Sequence, residues 1–127
     1  MPDDLTHLDD AGRLRMVDVG DKPPMRRTAE AEGFFCADAD TLDRLMRGDL
    51  PKGEALACAR IAGIQAAKRV DALIPLCHTL PLDAVNIDFD RAAADRVRVA
   101  ATVSTTARTG VEMEALTAVS IAAMTLW

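Results

Sequence analysis

The chain has 127 residues, of which half are hydrophobic and 28% are charged, and its formal net charge at pH 7 is −5. This length and this balance predict one globular domain, residues 1–127, and exclude a disordered chain. The acidic total argues against a broad nucleic-acid interface, and the three cysteines form no C-x-x-C pair that would indicate a zinc site. We therefore expect no nucleic-acid or membrane partner, no metal and no cofactor, in a reduced cytoplasmic setting.

The first third of the chain carries few regular signals. Residues 1–15 are polar and are expected to form an arm, and residues 16–19 suit a short strand. Residues 20–33 contain two prolines and many charges without an apolar period, which predicts a mobile loop. Residues 41–47 are typical of a short helix, with Asp40 as its N-cap.

The rest of the chain predicts helices and strands. Residues 54–73 are rich in alanine and spaced aliphatic residues, which predicts one long helix in which Gly63 permits close approach. Alternating apolar and polar residues predict strands at 83–90 and 96–105, joined as an antiparallel hairpin. Residues 110–127 predict a last, largely uncharged helix. This order predicts an α+β sandwich, with helices packed on one face of an antiparallel sheet.

A cysteine and a histidine lie between two prolines in residues 73–81. Each proline fixes its own φ and favours an extended conformation in the residue before it, so we expect His78 on a stiffened loop. A histidine held in this way suits hydrogen bonding to a ligand, or proton transfer near neutral pH. The alternative is an ordinary loop histidine beside a buried Cys77.

Two glutamates begin the last helix. Thr109 and Glu112 have the spacing of a capping box, in which Glu112 bonds to the backbone N–H of the cap. That leaves Glu114 unexplained, because a carboxylate at the edge of an apolar helix must find a partner or shift its pKa. A fitting partner is the amidine-like edge of a guanine or a pterin, which presents two parallel N–H donors.

Two lysines are candidates for a phosphate site. Lys52 comes just before the long helix, whose free N–H groups would add to its positive charge. The alternative is an ordinary turn lysine. Lys68 lies toward the end of that helix, where we expect it to face the same cleft as His78.

Several of these stretches, in this order, resemble one enzyme family. They are Leu5-Thr6-His7-Leu8, Met16-Val17-Asp18-Val19, Lys52-Gly53-Glu54 and residues 59–69, 73–78 and 109–117. From about residue 5 to its end the chain resembles the cyclic pyranopterin monophosphate synthases of molybdenum-cofactor biosynthesis. The resemblance implies a ferredoxin-like fold and a homohexamer of three dimers, with active sites at dimer interfaces. It implies conversion of 3′,8-cyclo-7,8-dihydroguanosine 5′-triphosphate to cyclic pyranopterin monophosphate, with release of diphosphate.

The resemblance also implies roles for single residues. Together with the arguments above, it predicts Lys52 and His78 as catalytic residues, and Leu76, Cys77, His78, Glu112, Met113, Glu114 and Lys68 as substrate-binding residues. We expect the loop of His78 and the carboxylate of Glu114 to converge across a subunit contact on a purine-like ring.

Two departures from the family pattern bear on these expectations. The family usually has a proline where Thr79 stands, and it continues past the final helix with an acid–base aspartate, whereas this sequence ends at Trp127. We therefore expect a fragment. The alternative is a non-catalytic or truncated subunit that binds the substrate and assembles without turnover. A ferredoxin-like RNA-binding module is a third hypothesis, which the acidic charge and the scarcity of aromatic residues disfavour.

Overall fold

The structure is a computed structural model that describes residues 5–49 and 54–127. Within these ranges the elements are β1 (Met25–Cys36), α1 (Ala39–Arg47), α2 (Ala55–Ala67), α3 (Val70–Leu73), β2 (Leu82–Ala93), β3 (Arg96–Ala107) and α4 (Glu112–Thr125). The predicted α+β sandwich is confirmed, with a three-stranded antiparallel sheet and helices on one of its faces, as in ferredoxin-like folds. None of the helices in the described ranges is long and apolar enough to cross a membrane.

The central strand of the sheet is β3, in the order β1-β3-β2. β2 and β3 form the hairpin that the alternating pattern predicts, and both strands are longer than predicted. β1 pairs along the other edge of β3, from Met25 opposite Ala107 to Cys36 opposite Arg96. Successive side chains of a strand point to opposite faces. The side chains of β3 that face the helices and are buried include Val97, Val99, Ala101 and Val103.

The helix layer is formed chiefly by α2 and α4, which pack on each other and on the sheet. The two helices approach closely because Gly63 has no side chain. A Cβ added there would lie 2.9 Å from the backbone oxygen of Ala118 and 2.4 Å from Cδ1 of Ile87. Leu42 and Leu45 of α1 are buried at the edge of the same core. The core is therefore aliphatic and rich in alanine.

The prediction of a mobile loop at residues 20–33 is wrong from Met25 onward, because β1 begins there. The positions of β1 that face the helices carry small residues such as Ala29 and Ala31, while the positions between them carry charges such as Glu30. Small residues give little hydrophobic signal, so the alternation of buried and exposed positions is weak in the sequence of this segment. Only pairing with β3 makes this segment a strand.

The described part of the predicted arm folds as a small turn. Leu8 and Leu14 form an isolated bridge, and the Asp9 carboxylate accepts hydrogen bonds from the backbone N–H groups of Ala11 and Arg13, at 2.9 and 2.8 Å. Residues 16–19, predicted as a strand, have no strand pairing in the structure. Within this segment the backbone oxygen of Val17 contacts the imidazole of His78.

Three helix boundaries differ from the predictions. The single helix predicted for residues 54–73 is divided, since α2 ends at Ala67 and α3 begins at Val70. The N-cap of α1 is Asp38 and not Asp40, because Asp38 has extended backbone angles and its Oδ1 accepts the N–H of Thr41 at 2.9 Å.

The predicted capping box at α4 is also wrong. The helix begins at Glu112, with Val111 at the N-cap position and no hydrogen bond from a capping side chain. The carboxylate of Glu112 instead folds back over Gly110, where an added Cβ would lie 2.2 Å from its Oε2. Glu112 is exposed and its carboxylate does not cap the helix.

Candidate functional site

After α3 the chain turns sharply and presents the predicted histidine loop. Pro75 is followed by Leu76, which has a φ of 66°, the only positive φ of a non-glycine residue in the described ranges. Proline followed by a residue with positive φ is typical of a type II turn, in which glycine normally takes the second position. A leucine in this conformation is strained, and such strain clusters at ligand sites.

The imidazole of His78 is held by the segment that was predicted as a strand. Its Nε2 lies 2.6 Å from the backbone oxygen of Val17. A carbonyl oxygen only accepts hydrogen bonds, so the hydrogen of the neutral ring is on Nε2. Nδ1 is then the ring nitrogen that can accept a hydrogen bond or a proton. The expectation of a histidine on a stiffened loop agrees with this geometry.

The two glutamates of α4 lie in different environments. Glu112 is exposed, whereas Glu114 is only 4% exposed. Burial raises the pKa of the Glu114 carboxyl above its ordinary value, and a hydrogen bond from its own backbone N–H partly offsets this increase. The negative charges of Glu112 and Asp71 raise the pKa further. Among the described residues Glu114 has no cationic partner, and a buried carboxylate of this kind gains most from a ligand that brings N–H donors.

The histidine loop and the start of α4 enclose one cavity of about 210 Å³. His78 and Glu114 both line it, and they do so within a single chain. They therefore meet within one chain, and the expectation that they converge across a subunit contact stays a prediction. The lining residues are His7, Leu76, Cys77, His78, Leu80, Thr109, Gly110, Glu112, Met113 and Glu114.

This cavity combines apolar walls with groups that form hydrogen bonds. Leu76, Leu80 and Met113 offer apolar contact, and the carboxylates of Glu112 and Glu114 offer hydrogen-bond acceptors. Burial, and secondarily the charge of Glu114, raises the pKa of the Cys77 thiol. Cys77 is therefore a neutral wall residue near pH 7 and not an activated nucleophile. Within the described ranges, no group of three or more metal-ligating side chains lies close enough together to hold a metal ion.

Of the two predicted lysines, Lys68 does not line this cavity. Lys68 lines a neighbouring cavity of about 450 Å³ between α2 and the start of β2, and the two cavities share Leu80. Lys68 thus faces an adjacent cleft, and not the cleft of His78 as expected. Lys52 lies outside the described residues.

Sequence reasoning missed one titratable residue of this cavity. His7 was assigned to the arm, yet its side chain lines the cavity beside His78. The turn that places it is held by the backbone N–H of Arg15, which donates to the His7 oxygen at 2.9 Å. Nothing in the local pattern points to this position, since the two histidines are brought together only by the tertiary structure.

The fold and this cavity define a class of protein, an α+β domain with a small pocket lined by apolar residues, two histidines and two glutamates. The family model described as the MoaC family matches residues 16–127, and the chain belongs to that family. The match covers every element of the sheet and the helix layer, together with the loop of His78 and the start of α4. His7 precedes the matched residues.

Curated relatives match nearly the whole chain. A protein of Novosphingobium aromaticivorans is 56% identical over 124 residues, which are 98% of this chain and 78% of that protein. One of Herpetosiphon aurantiacus is 56% identical over 97% of this chain and 76% of its own length. One of a Roseiflexus species is 57% identical over 98% of this chain and 79% of its own length. All three are named cyclic pyranopterin monophosphate synthase.

Proposed function

We propose that the protein is a cyclic pyranopterin monophosphate synthase of molybdenum-cofactor biosynthesis. It converts 3′,8-cyclo-7,8-dihydroguanosine 5′-triphosphate to cyclic pyranopterin monophosphate and releases diphosphate. The observation that carries the proposal is the meeting of His78 and the buried Glu114 at one cavity, in a chain of the MoaC family.

The cavity suits the ring system of this substrate. Pockets for drug-sized ligands measure about 300–1,000 Å³, so about 210 Å³ accepts a ring and leaves a triphosphate outside. The guanine-derived edge presents parallel N–H donors, which Glu114 would accept in a bidentate pair. The hydrogen bonds then satisfy a carboxylate that burial otherwise disfavours, and the side chains of Leu76 and Met113 contact the ring.

The phosphates are proposed to lie toward Lys68. Among the residues that the structure describes, the lining of the first cavity includes two carboxylates and no lysine or arginine, and these two charges would repel a triphosphate. The adjacent cavity is lined by Lys68, and Leu80 lies between the two cavities as a shared lining residue. We assign the same task to Lys52, which would hold phosphate or assist catalysis. A cation there stabilises the departing diphosphate.

The chemistry requires proton transfer beside the ring, because the guanine-derived system is opened and rebuilt. His78 can move one proton through Nδ1, since its Nε2 stays bonded to Val17. The cyclic phosphate forms when a substrate hydroxyl bonds to the α-phosphorus and the bond from that phosphorus to the diphosphate breaks. The hydroxyl proton passes to a base, and diphosphate leaves with the bonding electrons.

We further propose that the protein works in the cytoplasm as a homohexamer of three dimers, with active sites at dimer interfaces. The helices support this assembly, because they expose large apolar side chains that one small domain does not need. These side chains are Ile61, Leu116 and Met124. Light scattering coupled to size-exclusion chromatography tests the assembly, and a monomer at micromolar concentration contradicts it.

The decisive experiment is turnover by the protein at its natural length. The purified protein is incubated with 3′,8-cyclo-7,8-dihydroguanosine 5′-triphosphate, the product is identified by mass spectrometry, and diphosphate is measured in a coupled assay. We expect one diphosphate for each cyclic pyranopterin monophosphate. Binding without release of diphosphate would instead support the non-catalytic subunit, and absence of binding refutes the proposal. Glu30→Gln, on the sheet face away from the helices, is the matched control and should keep full activity.

A further inference from the structure

The loop that carries His78 has a second side-chain anchor that the proposed reaction does not use. The hydroxyl of Thr79 donates to Oδ2 of Asp71 at 2.6 Å. This distance lies in the range of charge-assisted O–H···O⁻ hydrogen bonds, which are stronger than neutral ones. Asp71 belongs to α3, so the bond ties the residue after His78 back onto the helix before the loop.

The loop is pinned at three side-chain contacts, and each restrains a different part. His78 bonds to Val17, Thr79 bonds to Asp71, and Thr105 of β3 donates to the backbone oxygen of Pro81. The contact at Pro81 fixes the exit of the loop, but it lies three residues beyond the imidazole. The Thr79 anchor is the nearest restraint on the backbone of His78.

The charge of Asp71 contributes to the raised pKa of Glu114, which places this carboxylate within electrostatic reach of the pocket. Leu76, two residues before His78, holds a strained positive φ. A strained turn persists only when its surroundings restrain it on both sides.

We propose that Asp71 and Thr79 form a positioning pair that holds the loop in the conformation where His78 donates to Val17 and turns Nδ1 to the cavity. Neither residue lines the cavity. Both act through His78, and the catalytic consequence rests on the proposed function.

The test uses the full-length protein and five variants: Thr79→Val, Thr79→Ser, Asp71→Ala, the double variant Thr79→Val/Asp71→Ala, and Thr28→Val. The last is a control for loss of a threonine hydroxyl, because Thr28 makes one neutral side-chain hydrogen bond, to Ser104, on the sheet face away from the helices. Nitrogen-15 NMR of the imidazoles reports the tautomer directly. The chain has two histidines, and His7→Gln assigns their signals. Steady-state kinetics supply kcat and KM.

We expect Thr79→Val and Asp71→Ala to move the His78 nitrogen shifts from the Nε2–H tautomer toward tautomer-averaged values. Loss of one such bond should lower kcat about three- to tenfold, with a smaller change in KM. Thr79→Ser should restore both readouts, and the double variant should be no worse than either single one. Thr28→Val should match the wild type.

Unchanged His78 shifts in both Thr79→Val and Asp71→Ala would overturn the positioning pair. It would also be overturned if Thr79→Ser behaved like Thr79→Val, or if the two single effects added in the double variant. Failure of the proposed function is separate from these results. It would show as absent turnover in the wild type, while the NMR comparison still decides whether the pair orients His78.

Discussion

Glu114→Gln should make the protein more stable and a weaker binder at pH 7. The substitution keeps the shape of the side chain and removes a charge that burial disfavours, at a position only 4% exposed. The pKa of Glu114 is raised in the folded protein above its ordinary value of 4.5. A carboxyl with a raised pKa contributes its full stability below the unfolded-state pKa and loses it as the pH rises through the folded-state pKa. The advantage of the glutamine variant in melting temperature should therefore grow as the pH rises above 4.5.

The loss in binding follows from the acceptor chemistry. Hydrogen bonds to a charged group contribute about 1.5–3 kcal/mol and neutral ones about 0.5–1.5 kcal/mol. The glutamine amide keeps one acceptor, and its NH₂ group opposes the second N–H of the ligand edge. A net loss of about 2–3 kcal/mol follows, which corresponds to a Kd about 30- to 150-fold higher.

The assay pairs isothermal titration calorimetry with thermal melts between pH 4 and pH 8. Glu30→Gln removes the same charge from the sheet face away from the helices and should leave the Kd unchanged. The reasoning is refuted if Glu114→Gln lowers the melting temperature at pH 7, or if affinity falls only in proportion to a loss of stability. Either result would mean that Glu114 stabilises the fold and is not a ligand-binding residue.

Three further predictions concern packing and the missed histidine. Gly63→Ala should lower the free energy of unfolding by about 1–2 kcal/mol in urea denaturation. Overpacking costs about 1–3 kcal/mol, which outweighs the gain of about 1 kcal/mol in helix propensity. A more stable variant would contradict the close approach to Ala118. Leu42→Ala should cost about 2–5 kcal/mol at a fully buried position. Leu14→Ala, 75% exposed, should stay within about 0.5 kcal/mol in the same denaturation series. His7→Ala should raise the Kd for the substrate about three- to tenfold, as expected for one lost hydrogen bond, and should leave the melting temperature unchanged. An unchanged Kd would show that His7 does not contribute to the site.

The local sequence determined the elements whose pattern is strong. The hairpin of β2 and β3 follows from alternating residues that include Val85, Ile87 and Phe89, since a period of two specifies a half-buried strand without help from the rest of the fold. The apolar character of α2 and α4 likewise predicted helices packed on a second layer. The two stretches later found at the cavity were also visible, because prolines around His78 and an isolated charge at Glu114 are unusual in their surroundings.

The tertiary structure alone decided the rest. β1 is a strand because β3 supplies its hydrogen-bonding partner, while its own small residues carry almost no periodic signal. His7 reaches the cavity, and Lys68 is directed to the neighbouring one, through contacts between segments far apart in the chain. The imidazole of His78 is oriented by a carbonyl 61 residues away, at Val17. Local sequence specifies conformation through backbone preferences and periodicity, whereas a site is a set of distances between remote segments, and only the folded chain sets those distances.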